Sequence, residues 1–184
     1  MIGFLGVAAL VIVAPGPDFA LTVRNTVRGG GTSTALGVAT GQLVWAAAAA
    51  AGVAGALAAS HPAFVALRLA GAAYLVWLGV ATLRSRGVHV VRASRGSPYR
   101  QGLLSNLGNP KMPVFFTSLL PQFGVSFWQL AAHGALFAAM TFTWLALVAR
   151  TGSFLLVPKI RRVVDTVTGV VLVALGGRLA LERR

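Results

Sequence analysis

Residues 29–67 read GGGTSTALGVATGQLVWAAAAAAGVAGALAASHPAFVAL, and no Lys, Arg, Asp or Glu interrupts them. At about 20 residues per crossing, the tract is long enough for two membrane spans joined by a tight turn. A second uncharged tract separates Lys111 from Arg150 and admits the same reading. The composition agrees: 57% of the 184 residues are apolar and 10% are charged, with a mean hydropathy of +0.79. A water-facing domain carries about 25% charged residues, so the chain lacks the polar surface of a soluble globule. In hydrocarbon the backbone must satisfy its own polar groups, and the helix-length apolar tracts predict an all-α integral membrane protein.

Six spans are expected, at about residues 2–23, 35–59, 63–83, 101–120, 127–149 and 163–181. The first is interrupted by Pro15-Gly16-Pro17-Asp18 and the fourth by Asn109-Pro110-Lys111. The third and sixth share a pattern, Gly71 to Gly79 in one and Gly169 to Gly177 in the other, each an apolar run between glycines. The whole chain then reads as one transmembrane domain, residues 1–184, with repeat halves at about 1–83 and 101–184. Three spans is an odd number, so the halves enter the membrane from opposite sides: two inverted three-helix repeats, a construction common in secondary transporters. The small residues crowding the second span, from Gly37 to Gly55, suit close helix contact.

The sixteen Lys and Arg against three acids raise the question of nucleic acid. The positive charges sit between apolar tracts rather than along one face, which argues against a phosphate-binding footprint. They fit the positive-inside rule instead. Two fall in 24–31, five in the basic loop 84–100 and four in 150–162, all on one side of a six-span chain. That side is expected to be cytoplasmic and both termini outside, although Arg178, Arg183 and Arg184 at the C-terminal end run against this count. No cysteine is present, which excludes disulfides, thiolate metal sites and dithiol redox chemistry. The first Lys or Arg is Arg24, so the start reads as a retained first span rather than a signal peptide.

The chemistry concentrates at the two breaks. Pro15 and Pro17 remove donors that the carbonyls of Val11 and Val13 would use, and Pro110 and Pro113 do the same to Asn106 and Asn109. Freed carbonyls at membrane depth need protein, water or ligand, and paired breaks in corresponding helices point to a central binding site. Asp18 and Lys111 stand beside them. An ionisable residue within a span asks for a partner or a task. Asp18 is suited to a substrate ammonium or a coupling proton, and Lys111 to a carboxylate. The alternative is a structural ion pair between the two. Gln42, Asn106 and Asn109 either line the same cavity or hydrogen-bond between helices. Asp165, three and four residues after Arg162 and Arg161, reads as a helix-end ion pair. His61, His89 and His133 have no metal-site spacing, and no nucleophile–base pair or phosphate-cradling loop is visible. No metal, cofactor or catalysis is expected.

Taken together, Pro15-Gly16-Pro17-Asp18, the Gly71–Gly79 stretch, Asn106-Leu107-Gly108-Asn109-Pro110-Lys111 and Pro121-Gln122-Phe123 resemble the LysE/RhtB family of amino-acid exporters over nearly the whole length. The resemblance implies a six-span inverted repeat in the bacterial inner membrane that exports amino acids or close derivatives, coupled to the proton gradient. A dibasic substrate would favour further acids along the path. With Asp18 the one acid beside the breaks and Asp165 read as a helix-end ion pair, a neutral amino acid of the threonine or homoserine kind is favoured. Two other readings stay open, a membrane-embedded assembly or scaffold protein and a transition-metal transporter; assembly into a homo-oligomer is also open. The charge asymmetry makes one expectation testable at once. A reporter active only in the cytoplasm should be active when fused after Ala93 and silent when fused after Phe123. The opposite pattern would reverse the orientation.

Overall fold

The computed structural model describes residues 2–14, 16–59, 61–84, 96–109, 111–124, 126–151 and 158–181, and among these every regular element is helical. In chain order they are α1 (Ile2–Val13), α2 (Pro17–Thr26), α3 (Gly31–Ala59), α4 (His61–Arg84), α5 (Pro98–Leu107), α6 (Lys111–Val114), α7 (Phe127–Thr151) and α8 (Pro158–Leu181). A π-helical segment, Phe115–Leu119, and a 3₁₀ turn, Leu120–Phe123, follow α6.

Two helices, α3 and α7, are each long and apolar enough to cross a membrane, and α1 with α2 forms a third candidate bent by 59° at the break. At 1.5 Å per residue, the 24 residues of α4 and of α8 extend about 36 Å, and the described residues of each include an apolar stretch, Leu69–Ala81 and Gly169–Arg178. Apolar side chains stay exposed on the outward faces, among them Leu36, Leu43, Val44, Leu69 and Trp77, as expected where the solvent is lipid.

The broken first span appears where the prolines require it. Helix α1 ends at Val13, Gly16 is extended (φ −149, ψ −173), and α2 opens on Pro17, a position where the missing N–H is no loss. The fourth span is more fragmented than the single interruption expected from Asn109-Pro110-Lys111. After the break at Gly108 the helix restarts at Lys111, but Pro113 has no N–H to donate. The hydrogen bonding then shifts to a wider turn, with the Leu120 N–H reaching the Phe115 carbonyl. Helix α8 also starts earlier than expected. It opens at Pro158 and takes in Lys159, Arg161 and Arg162, ahead of the expected start at about residue 163. The side chains of Arg161 and Asp165, most of the basic loop, Pro15 and Pro110 lie outside the described residues.

Small residues set the packing. Thr34 meets Gly102, Gly37 meets Tyr99 and Leu103, and Gly41 meets Asn106, so α3 and α5 advance together and run parallel. Gly31 lies against Ala149 and Gly134 against Ala46, which makes α3 and α7 antiparallel. Ala72 faces Gly176 and Gly79 faces Gly169, so α4 and α8 are antiparallel as well. The two glycine patterns singled out in the sequence therefore lie against each other. Phe115, Phe116 and Phe137 fill the centre, with Phe115 stacked on Phe137 at 4.1 Å between centroids. Phe4 lies beside Phe123 and His133, at the end opposite to the one where Gly30 touches Pro98.

These approaches make a sharp distinction between glycines. A Cβ on Gly37 would overlap the Tyr99 carbonyl and the Leu103 nitrogen, whereas one on Gly52 meets nothing within 4 Å. Backbone atoms cannot rotate away, so Gly37→Ala should lose about 1–3 kcal/mol of stability. Gly52→Ala should be neutral or slightly stabilising through helix propensity. Thermal unfolding of the purified variants in detergent checks this; equal behaviour of the two would refute the close α3–α5 contact.

Candidate functional site

Asp18 is the second residue of α2, in the first turn, where the helix dipole and free N–H groups favour a carboxylate. It is buried, and its partners all come from the second break. Ser105 Oγ donates to Oδ1 at 2.6 Å, and the Asn106 and Asn109 side-chain amides donate to Oδ2 at 2.9 and 3.0 Å. A carboxylate has about four acceptor positions. One, on Oδ1, is left unfilled by these three bonds.

Lys111 does the complementary thing to the first break. Its Nζ donates to the carbonyl of Val11 at 2.7 Å and to that of Ala14 at 3.4 Å. The Val11 carbonyl is the one that Pro15 deprives of its helical donor, and the end of α1 carries the negative pole of its dipole. The two carbonyls freed at the second break close locally. Asn109 N–H reaches the Asn106 carbonyl and Met112 N–H reaches that of Asn109, both at 3.0 Å. The Asn109 side chain in turn accepts from Lys111 N–H at 3.1 Å. Each break is thus completed by the other. Asp18 and Lys111 form no direct ion pair: each is held by the polar groups of the opposite break.

Both residues face one small cavity. Its polar lining is Asp18, Gln42, Asn109, Lys111 and Thr141, and Gly16 backs it; Val11, Met112, Phe137 and Leu145 supply apolar walls. The space holds about one or two water molecules, too little for an amino acid. At 1.5 Å per residue, Gln42 lies about 16 Å from the start of α3, Thr141 about 15 Å from the end of α7, and Asp18 about 12 Å from the end of α2. These three ends lie together, and about 15 Å is half the thickness of a bilayer core. A polar network ties the helices at that end: Arg24 Nη2 donates to Gln101 Oε1 at 2.9 Å, and Asn25 Nδ2 donates to Thr34 Oγ1 at 2.9 Å and to Gln101 Oε1 at 3.1 Å.

Of the residues singled out from sequence, Gly16, Asp18, Gln42, Asn109 and Lys111 line the cavity. Asn106 sits behind it on Asp18, and Pro17 starts α2. Pro15 and Pro110 fall outside the described residues. Ser105 and Thr141 were not anticipated. Ser105 lies four residues before Asn109, so the helical period puts it on the same face; Thr141 carries no comparable signal.

A family model described as LysE type translocator matches residues 9–183. The chain belongs to this family. It is similar to a threonine efflux protein of Salmonella typhimurium (31% identical, covering 88% of this chain and 86% of that protein). It is also similar to a leucine efflux protein of Salmonella choleraesuis (30% identical, covering 94% and 91%). An uncharacterized membrane protein of Bacillus subtilis, YrhP, is 28% identical over 99% of both chains. No solved structure matches. This LysE-type translocator is a membrane transporter, and both breaks with all five polar cavity residues fall within the matched range.

The geometry gives Lys111 a structural duty that can be measured without transport. Lys111→Met should strand the Val11 carbonyl and cost about 1–3 kcal/mol. Lys111→Arg, which keeps a cationic donor, should cost less. Unfolding midpoints of the detergent-solubilised variants decide the matter; an unaffected Lys111→Met would remove the cap from the account.

Proposed function

We propose that this translocator exports a neutral amino acid across the bacterial inner membrane, coupled to the proton gradient, with the substrate held between Asp18 and Lys111. One observation carries the reading: a buried carboxylate and an ammonium line the same midplane cavity without neutralising each other directly. A zwitterion presents the complementary pair. Its ammonium fits the open position on Asp18 Oδ1, and its carboxylate fits the remaining N–H of Lys111 Nζ, which has three donors in all. The threonine and leucine efflux relatives support amino-acid export as the general task. Because the cavity is smaller than any amino acid, the breaks have to part for substrate to enter. Lys111 then exchanges the α1 carbonyls for the substrate carboxylate, and Asp18 is the acid positioned to carry the coupling proton.

The same reading takes α1 with α2 as one span and α5 through Phe123 as another, giving six spans in two inverted halves with both termini outside. The parallel α3–α5 pair and the antiparallel α3–α7 and α4–α8 pairs support it. A membrane-bound scaffold role is the alternative favoured by a specific observation, since Lys111 caps α1 whether or not anything is transported.

Transport by Asp18→Asn, Lys111→Met and the double variant, at matched membrane abundance, separates these. If the two residues hold the ends of a substrate, the double variant should be as inactive as the worse single one. Recovery in the double variant would mean that the charges only balance each other. Normal transport by both single variants would sink the site assignment, and loaded vesicles showing no flux of any amino acid, with or without a proton gradient, would sink the export reading.

A further inference from the structure

Two polar groups on the cavity wall have no use in the fold. Gln42, on α3, is 2% exposed, and its Oε1 makes no hydrogen bond. Its amide nitrogen has only the Met112 sulfur at 3.8 Å, and a thioether is a weak acceptor. Thr141, on the facing helix α7, is 5% exposed and its hydroxyl is also unpartnered. That is unusual here. A helical threonine normally satisfies itself on the carbonyl four residues back, and Thr22, Thr26, Thr117 and Thr143 all do so. Thr141 forgoes that bond while lining the cavity.

Buried, unmade hydrogen bonds are costly and ask for an explanation. Both groups are more than nine-tenths buried, and both line the cavity that holds Asp18 and Lys111. They come from α3 and α7, whereas the charged pair comes from the two breaks. The cavity thus has a third polar corner, and its other walls, Met112, Phe137 and Leu145, are apolar.

We propose that Gln42 and Thr141 form a side-chain subsite that selects amino acids bearing a hydroxyl on the side chain. The proposal rests on the export reading above and deepens it. A hydroxyl donates one hydrogen bond and accepts others, so a single group can give its proton to Gln42 Oε1 and accept that of Thr141. The apolar walls take the accompanying carbon atoms. An aliphatic side chain of the same volume leaves both protein groups unpaired and displaces any water that would serve them, which is the situation in which a polar site rejects an isostere. A charged side chain finds no counter-charge in this corner.

Threonine and valine differ by a hydroxyl against a methyl and make the test. In proteoliposomes containing the full chain, uptake or counterflow of each is measured for wild type, Thr141→Val, Gln42→Leu and Thr141→Ser at matched incorporation. Wild type should prefer threonine by at least about 10-fold, the worth of one or two buried hydrogen bonds. Thr141→Val and Gln42→Leu should each lower that ratio by about 5-fold or more, mainly by slowing threonine while valine is unchanged or faster. Thr141→Ser, which keeps the hydroxyl, should hold the wild-type ratio. A wild-type ratio near one overturns the subsite, and so does an equal loss of both amino acids in the two variants, which would mark a packing role. Flux of other amino acids but neither of these also overturns it while leaving export standing. Flux of no amino acid at all overturns the export reading on which it rests.

Discussion

The molecule is governed by the need to satisfy backbone carbonyls where water is scarce. A carbonyl without a donor in hydrocarbon costs several kcal/mol, and the prolines around the breaks create such carbonyls inside apolar helical tracts. Two of the four named from sequence are closed by nearby backbone N–H groups, those of Asn109 and Met112. That of Val11 is closed by the ammonium of Lys111, a hundred residues away in sequence. The sequence interval matters less than the sign of the charges. The C-terminal end of α1 presents partial negative charge and the N-terminal end of α2 partial positive charge, and Lys111 and Asp18 meet the appropriate end each. What looks in sequence like an ion pair is in space two charges answering two helix ends.

That arrangement leaves the centre polar but under-filled. Asp18 keeps an acceptor position, Lys111 a proton, and Gln42 and Thr141 their unmade bonds, while the surrounding helices meet through glycine and alanine at distances that allow little adjustment. Gly37, Gly41 and Gly102 hold α3 against α5, and Gly79 and Gly169 hold α4 against α8. Gly41 reaches Asn106 beside the second break, while the other contacts lie farther along the helices.

The membrane class and the position of the breaks are legible in the sequence because uncharged length and proline have few other meanings. The site is partly legible for the same reason: Asp18, Gln42, Asn109 and Lys111 are polar residues in apolar surroundings, which is already a signal. Three things are hidden. The π-helical segment at Phe115–Leu119 depends on how Pro113 redirects hydrogen bonds after the break, and no local propensity marks it. The partner of Lys111 is a main-chain oxygen, and carbonyls carry no signature in a sequence. Thr141 looks like any other helical threonine until its neighbours show that it alone among Thr22, Thr26, Thr117, Thr141 and Thr143 lacks the bond to the carbonyl behind it.

The mutual completion of the breaks also imposes an order on biosynthesis. While the first hundred residues leave the ribosome and enter the bilayer, the end of α1 has no cap and Asp18 has none of its three donors, because Ser105, Asn106, Asn109 and Lys111 are not yet made. The early spans must wait, with water or the insertion machinery standing in at that depth, until the second half arrives. A nascent chain cut short before residue 105 therefore carries two exposed liabilities in its first span.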